Sequence, residues 1–248
     1  MFKNKTILIT GGTGTVGSAL AAELLKQDPK VVRIFSRDES KQYDMQKEFW
    51  NEKRMRFFIG DVRDKNRLMH AMENVDVVFH TAAMKHVLAC EYNPFEALQT
   101  NIEGSKNVIE AALETEAKKV ILTSTDKATN PCNTMGVSKL FAERLFTSAN
   151  YYKGKNKTVF SAVRFGNILG SRGSVITVFK KQISNGGPLT ITDPEMTRFV
   201  MTGRESIQFV FNATRLAKGG EIFIAKMPVL KTCDLADAMI EIYAPREA

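Results

Sequence analysis

Only three cysteines occur in 248 residues, Cys90, Cys132 and Cys233. They are far apart and odd in number, so they offer neither a disulfide framework nor a metal-ligand spacing, and a reducing cytoplasmic setting is expected. No apolar run approaches the roughly 18 residues of a membrane span, so no membrane partner is expected. The opening "MFKNKTILIT" runs straight into a strand pattern, which predicts no signal peptide. Internal repeats and low-complexity tracts are also lacking, which excludes solenoids and disordered arrays.

Acidic charge is the scarcer sign. The net charge is +8 and the isoelectric point is about 9.3. Such a balance suits nucleic acid, acidic membranes or anionic substrates. The Lys and Arg residues are spread along the chain, apart from "YYKGKNK" at 151–157, which reads as a solvated loop. No nucleic-acid motif accompanies them, so attraction of nucleotide anions is the preferred reading.

What is present is a regular alternation. Short β-branched runs ("KTILIT", "VVRIFS", "MRFFIG", "DVVFHT", "KVILTST", "TVFSAVRF", "EIFIA") are separated by helical patterns near 15–27, 39–52, 64–73, 94–115, 134–151, 173–185 and 204–217. That order predicts βαβ units, hence an α/β fold with a doubly wound parallel sheet of Rossmann type. After Phe165 the regularity loosens, and "NGGPLTITDPEMTRF" reads as turn, short strand, turn. The expected division is a dinucleotide-binding domain at 1–165. A small substrate lobe would follow at 166–248, interleaved with the last strand and helices of the sheet.

"TILITGGTGTVGSAL" sets Gly11, Gly14 and Gly17 between a strand and a helix, with Thr13 and Thr15 among them. Glycines there permit a tight turn and close approach to a pyrophosphate, and the helix start supplies free N–H groups. The second strand ends in Ser36 and Arg37, with Asp38 one step later. A hydroxyl and a guanidinium suit a ribose 2′-phosphate, so NADP is expected, with NAD as the alternative. Asp61 and Val62 fit adenine contacts. Ala82, Ala83 and Lys85 fit the cofactor's middle. His86 receives no role.

"STDKATNPCNTMGVSK" has the outline of a dehydrogenase active site, but Met135 stands where the outline wants tyrosine. Lys139 lies four residues later, on the same helix face. With "TGGTGTVG", "HTAAMKHVLACEYNP", "TNIEGSKNVI" and "VRFGNILGSRGSVI", the chain resembles the sugar-nucleotide branch of the extended short-chain dehydrogenase/reductases. More narrowly it resembles the UDP-N-acetylglucosamine 4,6-dehydratases, the CapD-like polysaccharide biosynthesis proteins, in a Met-for-Tyr variant. Members usually continue beyond "CDLADAMIEIYA", so the stop at Ala248 implies a truncated or short member.

The resemblance implies oxidation at sugar carbon 4, loss of water across carbons 5 and 6, and hydride return to carbon 6, for surface glycan synthesis. It assigns Asp126 as acid and Lys127 as the carbon 5 base, and has Lys139 bond the nicotinamide ribose. A thioether cannot take the carbon 4 hydroxyl proton, so Asp126 is expected to take it, directly or through Thr125. Asn167 and Arg198 are expected at the diphosphate of a UDP-sugar, with Lys85 also near substrate. Asn101 is expected to support the site's backbone. Homo-oligomerisation through the helices near 94–115 and 134–151 is implied as well. A sugar-nucleotide epimerase and a catalytically dead NADP-binding scaffold are the competing readings.

Overall fold

A computed structural model describes residues 1–244, and the chain's stop at Ala248 lies outside them. The elements are, in order, β1 (Thr6–Thr10), α1 (Thr15–Leu25), β2 (Val31–Ser36), α2 (Glu39–Glu48), β3 (Met55–Ile59), α3 (Lys65–Met72), β4 (Val77–His80), α4 (Val87–Tyr92) and α5 (Pro94–Ala97). A π-helical stretch (Leu98–Glu103) leads into α6 (Gly104–Glu114). Then come β5 (Lys119–Thr125), a 3-10 turn (Asp126–Ala128), α7 (Thr134–Tyr152), β6 (Val159–Phe165), β7 (Asn167–Ile168), α8 (Val175–Ser184), β8 (Thr197–Met201), α9 (Gly203–Leu216), β9 (Ile222–Ile224), β10 (Val229–Lys231) and α10 (Thr232–Tyr243).

Seven strands form a parallel sheet in the order β3-β2-β1-β4-β5-β6-β9. β1 sits centrally and all five of its residues are buried, as a parallel strand covered on both faces must be. On one face Leu20 and Leu24 of α1 and Val210 and Phe211 of α9 pack with Ile7, Ile9 and Phe79. On the other, Leu68 and Met72 of α3, Val108 of α6 and Phe146 of α7 pack with Leu8, Val120 and Phe160. Each such side chain contributes about 1.5–3 kcal/mol of burial, so the layers hold the strand ends in fixed relation.

The strand order reverses between β1 and β4, which opens a crevice at the carboxyl edge. Beyond Phe165 the chain serves two bodies. β9 rejoins the main sheet beside β6, and α9 packs on α1. β7, β8 and β10 form a separate three-stranded sheet, while α8 and α10 pack through Phe179, Ile183, Ala236 and Met239.

Besides the short strands β7 and β10, which no run predicted, three elements differ from the sequence expectation. The helix expected over 94–115 is broken into α5, the π-helical stretch and α6. The wider π turn sets Asn101, buried, against the backbone of Met84, a position that continuous α-helix does not supply. α4 was not expected, being one short turn of mixed pattern. The short strand expected between the two turns of 185–199 does not form there; a strand forms at Thr197–Met201, beyond the Asp193-Pro194 turn, where its ladder partners are β7 and β10.

Candidate active site

The carboxyl ends of β1, β2, β4 and β5, together with the β7–α8 loop, enclose a cavity of about 900 Å³. Its walls bring together residues from positions 11 to 235.

One half is shaped by the β1–α1 turn. Gly11 has φ +67, and a Cβ on Gly17 would lie 2.5 Å from the Gly11 carbonyl oxygen, so α1 can start this close to the turn only with glycine there. No side chain caps α1, which leaves its first amides for a ligand. Thr13, Gly14, Thr15, Ser36, Arg37, Asp61, Val62, Ala82, Ala83 and Lys85 all line the cavity. Gly17 stands behind them as a packing residue.

At the end of β2, the Ser36 hydroxyl accepts from Gln42 Nε2 at 3.0 Å and keeps its own proton to donate. Arg37 is well exposed and stands 3.7 Å from Asp61, which Arg63 holds more closely at 2.8 Å. Asp38 also lines the cavity and caps α2, accepting from Lys41 N at 3.0 Å. The Lys41 ammonium and amide hold its carboxyl below the usual range.

The other half is the end of β5 and the start of α7. Thr125, Lys127, Met135 and Lys139 line the cavity, and Asp126 is bonded to the first two. Thr125 Oγ1 donates to Asp126 Oδ1 at 2.7 Å, and Lys127 Nζ donates to the same oxygen at 3.2 Å. Lys127 Nζ also reaches Asn167 Oδ1 at 3.3 Å. Lys139 is buried and donates to the Thr123 carbonyl at 2.7 Å. Burial lowers its pKa to about 8, against the opposing pull of Glu143. Met135 packs with Cys90, Ala97, Met84 and Val87 and has its edge on the cavity. Arg198 also lines the cavity, its guanidinium donating to the Thr197 carbonyl at 2.8 Å.

Several contributors went unread in the sequence. His80 is fully buried, and burial pushes its pKa down to about 3, so it is neutral. Ser105 Oγ spends its proton on the Asn101 carbonyl (2.6 Å), so His80 Nε2 must donate to it (3.1 Å), and Nδ1 must accept from Thr10 Oγ1 (2.7 Å). Asn101 continues the chain to Ser138, which donates to the Met135 carbonyl. This network ties β1, β4, the π turn and α7 together behind the site. Glu143 and Arg164 form a buried two-point pair, and Arg164 also bonds Thr129, bracing the turn after Lys127. Lys85 donates to the Arg172 carbonyl at 2.8 Å, so it holds a loop. A polar residue ending an otherwise apolar strand was the available signal for His80. Arg172 and Lys41, which also line the cavity, carried none.

The cavity fits a dinucleotide. Besides the uncapped α1 start, Ser124 Oγ, Thr100 Oγ1 and Ser174 Oγ are buried with no partner among the described residues, and their side chains belong to its wall. Unsatisfied buried hydroxyls cost about 1–3 kcal/mol each, which a polar ligand relieves.

Comparison with known proteins follows the same line. The polysaccharide biosynthesis protein family model matches residues 7–248. A Methanocaldococcus jannaschii protein named as an uncharacterized membrane protein is 55% identical over 245 residues, 99% of this chain and 73% of the relative. A Campylobacter jejuni protein named UDP-N-acetylglucosamine 4,6-dehydratase (inverting) is 51% identical over 241 residues, 96% of this chain and 72% of its own. A Rickettsia typhi protein named UDP-glucose 4-epimerase is 44% identical over 252 residues, covering all of this chain and 74% of its own. The crystal structure of Pen from Bacillus thuringiensis superposes with a TM-score of 0.96 at 51% identity, over 98% of this chain and 75% of that one. No helix among the described residues is long and apolar enough to cross a membrane.

Proposed function

The chain belongs to the polysaccharide biosynthesis protein family, and on that premise we propose that it is an NADP-dependent UDP-N-acetylglucosamine 4,6-dehydratase. The observation that carries this reading is the turn ending β5. A hydroxyl, a carboxylate and an amine converge there within hydrogen-bond reach, at the wall of a dinucleotide-sized cavity, on the strand whose Thr123 carbonyl accepts from Lys139.

A dinucleotide held by the glycine turn and the end of β2 would supply the redox chemistry, hydride acceptance from carbon 4 and return to carbon 6; the proton traffic falls to the side chains. Thr125 receives the carbon 4 hydroxyl proton as it passes its own to Asp126. The 2.7 Å bond between them supports this relay, with Thr125 the partner that lines the cavity. Lys127 takes the carbon 5 proton. Asp126, now protonated, returns its proton through Thr125 to the departing carbon 6 hydroxyl, and Lys127 gives its proton back to carbon 5. Both groups end as they began, so the cycle balances. Met135 fills space. Lys139 anchors the nicotinamide ribose with a charge that its burial makes labile.

The NADP preference rests on Ser36 and Arg37 at the end of β2 and on Asp38 being engaged as the cap of α2, where Lys41 holds it. Asn167 and Arg198 are proposed at the substrate diphosphate, with the UDP-sugar lying along the second sheet. A homo-oligomer is proposed through α4, α5 and α7, where Leu88, Tyr92, Phe95, Val137 and Phe141 are exposed together. Three unpaired cysteines suit the proposed cytoplasmic setting.

A second reading, a sugar-nucleotide 4-epimerase, is favoured by the Rickettsia relative. Epimerisation shares the carbon 4 oxidation, which Thr125 and Asp126 would serve, but it removes no carbon 5 proton and expels no hydroxyl, which leaves Lys127 without employment. Incubation with UDP-N-acetylglucosamine and NADP+ decides. A product lighter by one water and carrying a ketone supports the dehydratase. An isobaric epimer sinks it, and an unchanged substrate leaves a dead scaffold.

A further inference from the structure

The loop between β7 and α8 crosses the mouth of the cavity and reaches the glycine turn on its far side. Arg172 makes both bonds across it. Its backbone N–H donates to Thr15 Oγ1 at 3.3 Å, and its guanidinium donates to the Thr13 carbonyl at 3.3 Å. Both bonds are long, and the guanidinium uses one donor of five. Lys85, from the β4–α4 connection, pins the same residue through its carbonyl at 2.8 Å. Gly173 comes next, with φ +70, and a Cβ there would sit 2.8 Å from His86 Cε1, so the loop lies flat against that connection. Ser174 follows, its hydroxyl buried and unpartnered among the described residues.

The position has an electrostatic signature. Asp38, at the end of β2, feels the Arg172 charge after that of Lys41. The guanidinium bonds the glycine turn at Thr13 and lines the cavity together with Ser36, Arg37 and Asp38 from the ribose-reading end of β2. A dinucleotide lying on the α1 start places its pyrophosphate along that wall. A mostly unsatisfied, exposed cation over the place for a doubly charged anion is poised for a fork-like contact.

We propose that residues 170–174 form a latch that keeps the dinucleotide bound through the catalytic cycle, with Arg172 donating to its pyrophosphate. This rests on the redox-neutral reading above, which the dehydratase and the epimerase share. The cofactor is reduced in the first step and needed again in the last, so an enzyme that let it go between them would strand a ketone. A strap from the substrate side, anchored on the glycine turn, closes that exit.

The test compares Arg172→Ala, Arg172→Lys and Gly173→Ala with the wild type. Binding of NADP+ and of NAD+ is measured by calorimetry, release by stopped-flow displacement, and melting with and without cofactor. Loss of a charge-assisted contact corresponds to about ten- to hundredfold in affinity. Arg172→Ala should weaken both dinucleotides by that factor, through faster release, with the melting temperature of the cofactor-free protein unchanged. Arg172→Lys should fall between, since a point charge lacks the fork. Gly173→Ala should also speed release, with the guanidinium still present, because the strap cannot lie down. Wild-type affinity and release in Arg172→Ala would overturn the latch. So would a loss confined to NADP+, which would make Arg172 a reader of the 2′-phosphate, or a fall in cofactor-free melting temperature, which would make it a strut. A wild type that binds neither dinucleotide would defeat the cavity assignment itself, a separate failure.

Discussion

Asp126 and Lys127 share one hydrogen-bonded oxygen yet are asked to act at different steps, so their removal should halt the reaction at different places. Replacing a general acid or base costs on the order of 10²–10⁴ in rate, about 2.7–5.4 kcal/mol of barrier. Loss of the ion pair itself cannot mimic this. Its side chains are 30% and 20% exposed, and such partly solvated pairs contribute about 1 kcal/mol or less to folding. A folded variant with a large rate loss therefore reports chemistry. In Lys127→Ala, oxidation at carbon 4 needs no carbon 5 base, so a stopped-flow trace at the reduced-nicotinamide band should rise and stay. In Asp126→Asn the amide can still accept from Thr125 but cannot take a proton, so no such absorbance should build. Thr125→Val should match Asp126→Asn, because the relay is cut one atom earlier. If reduced cofactor accumulates in Asp126→Asn as readily as in Lys127→Ala, another group takes the carbon 4 proton. The account of how this site works without a tyrosine would then be wrong.

Three further outcomes are expected. Met135→Leu should keep most activity, since a swap of similar volume costs under about 1.5 kcal/mol; an inactive wild type rescued by Met135→Tyr would show that the phenol was needed. Arg37→Ala should weaken NADP+ by about ten- to hundredfold and NAD+ little, and equal wild-type binding of both cofactors would refute the NADP preference. Lys139 has a folded-state pKa near 8 against 10.5 for a free lysine, so between those values the unfolded chain holds a proton that the folded chain has released. Cofactor-free wild type should therefore gain stability relative to Lys139→Met as pH rises from about 8 to 10.5, by at most about 1.4 kcal/mol per unit; a flat difference in equilibrium denaturation would mean that Lys139 stays charged in the fold.

The sheet was legible because its strands are buried on both faces. β1, β4 and β5 read as unbroken β-branched runs, and helical patterns between them leave parallel pairing as the one consistent arrangement. The π-helical stretch was not legible. "LQTNIE" has helical periodicity, and nothing local says that Asn101 will be drawn to Met84, a contact that exists only once β4 and α7 are in place. The strand at Thr197–Met201 was displaced in the reading for a similar reason. Its ladder partners lie about thirty residues away on either side, and three-residue strands such as β10 carry too little pattern to place.

In the site, legibility followed covalent proximity. The glycine turn, the strand-end pair Ser36-Arg37 and the Thr125-Asp126-Lys127 triplet are each contiguous, and each sits where a strand ends, so sequence alone could set them at one sheet edge. Arg172 is different in kind. It stands more than 150 residues from Thr13 and Thr15, in a loop whose flanking glycines predict a turn but not its direction. That direction is set by packing: β7 must pair with β8, α8 must pack on α10, and the loop joining β7 to α8 is thereby carried across the cavity mouth to the glycine turn. A cation placed by such a chain of contacts is invisible to motif reading.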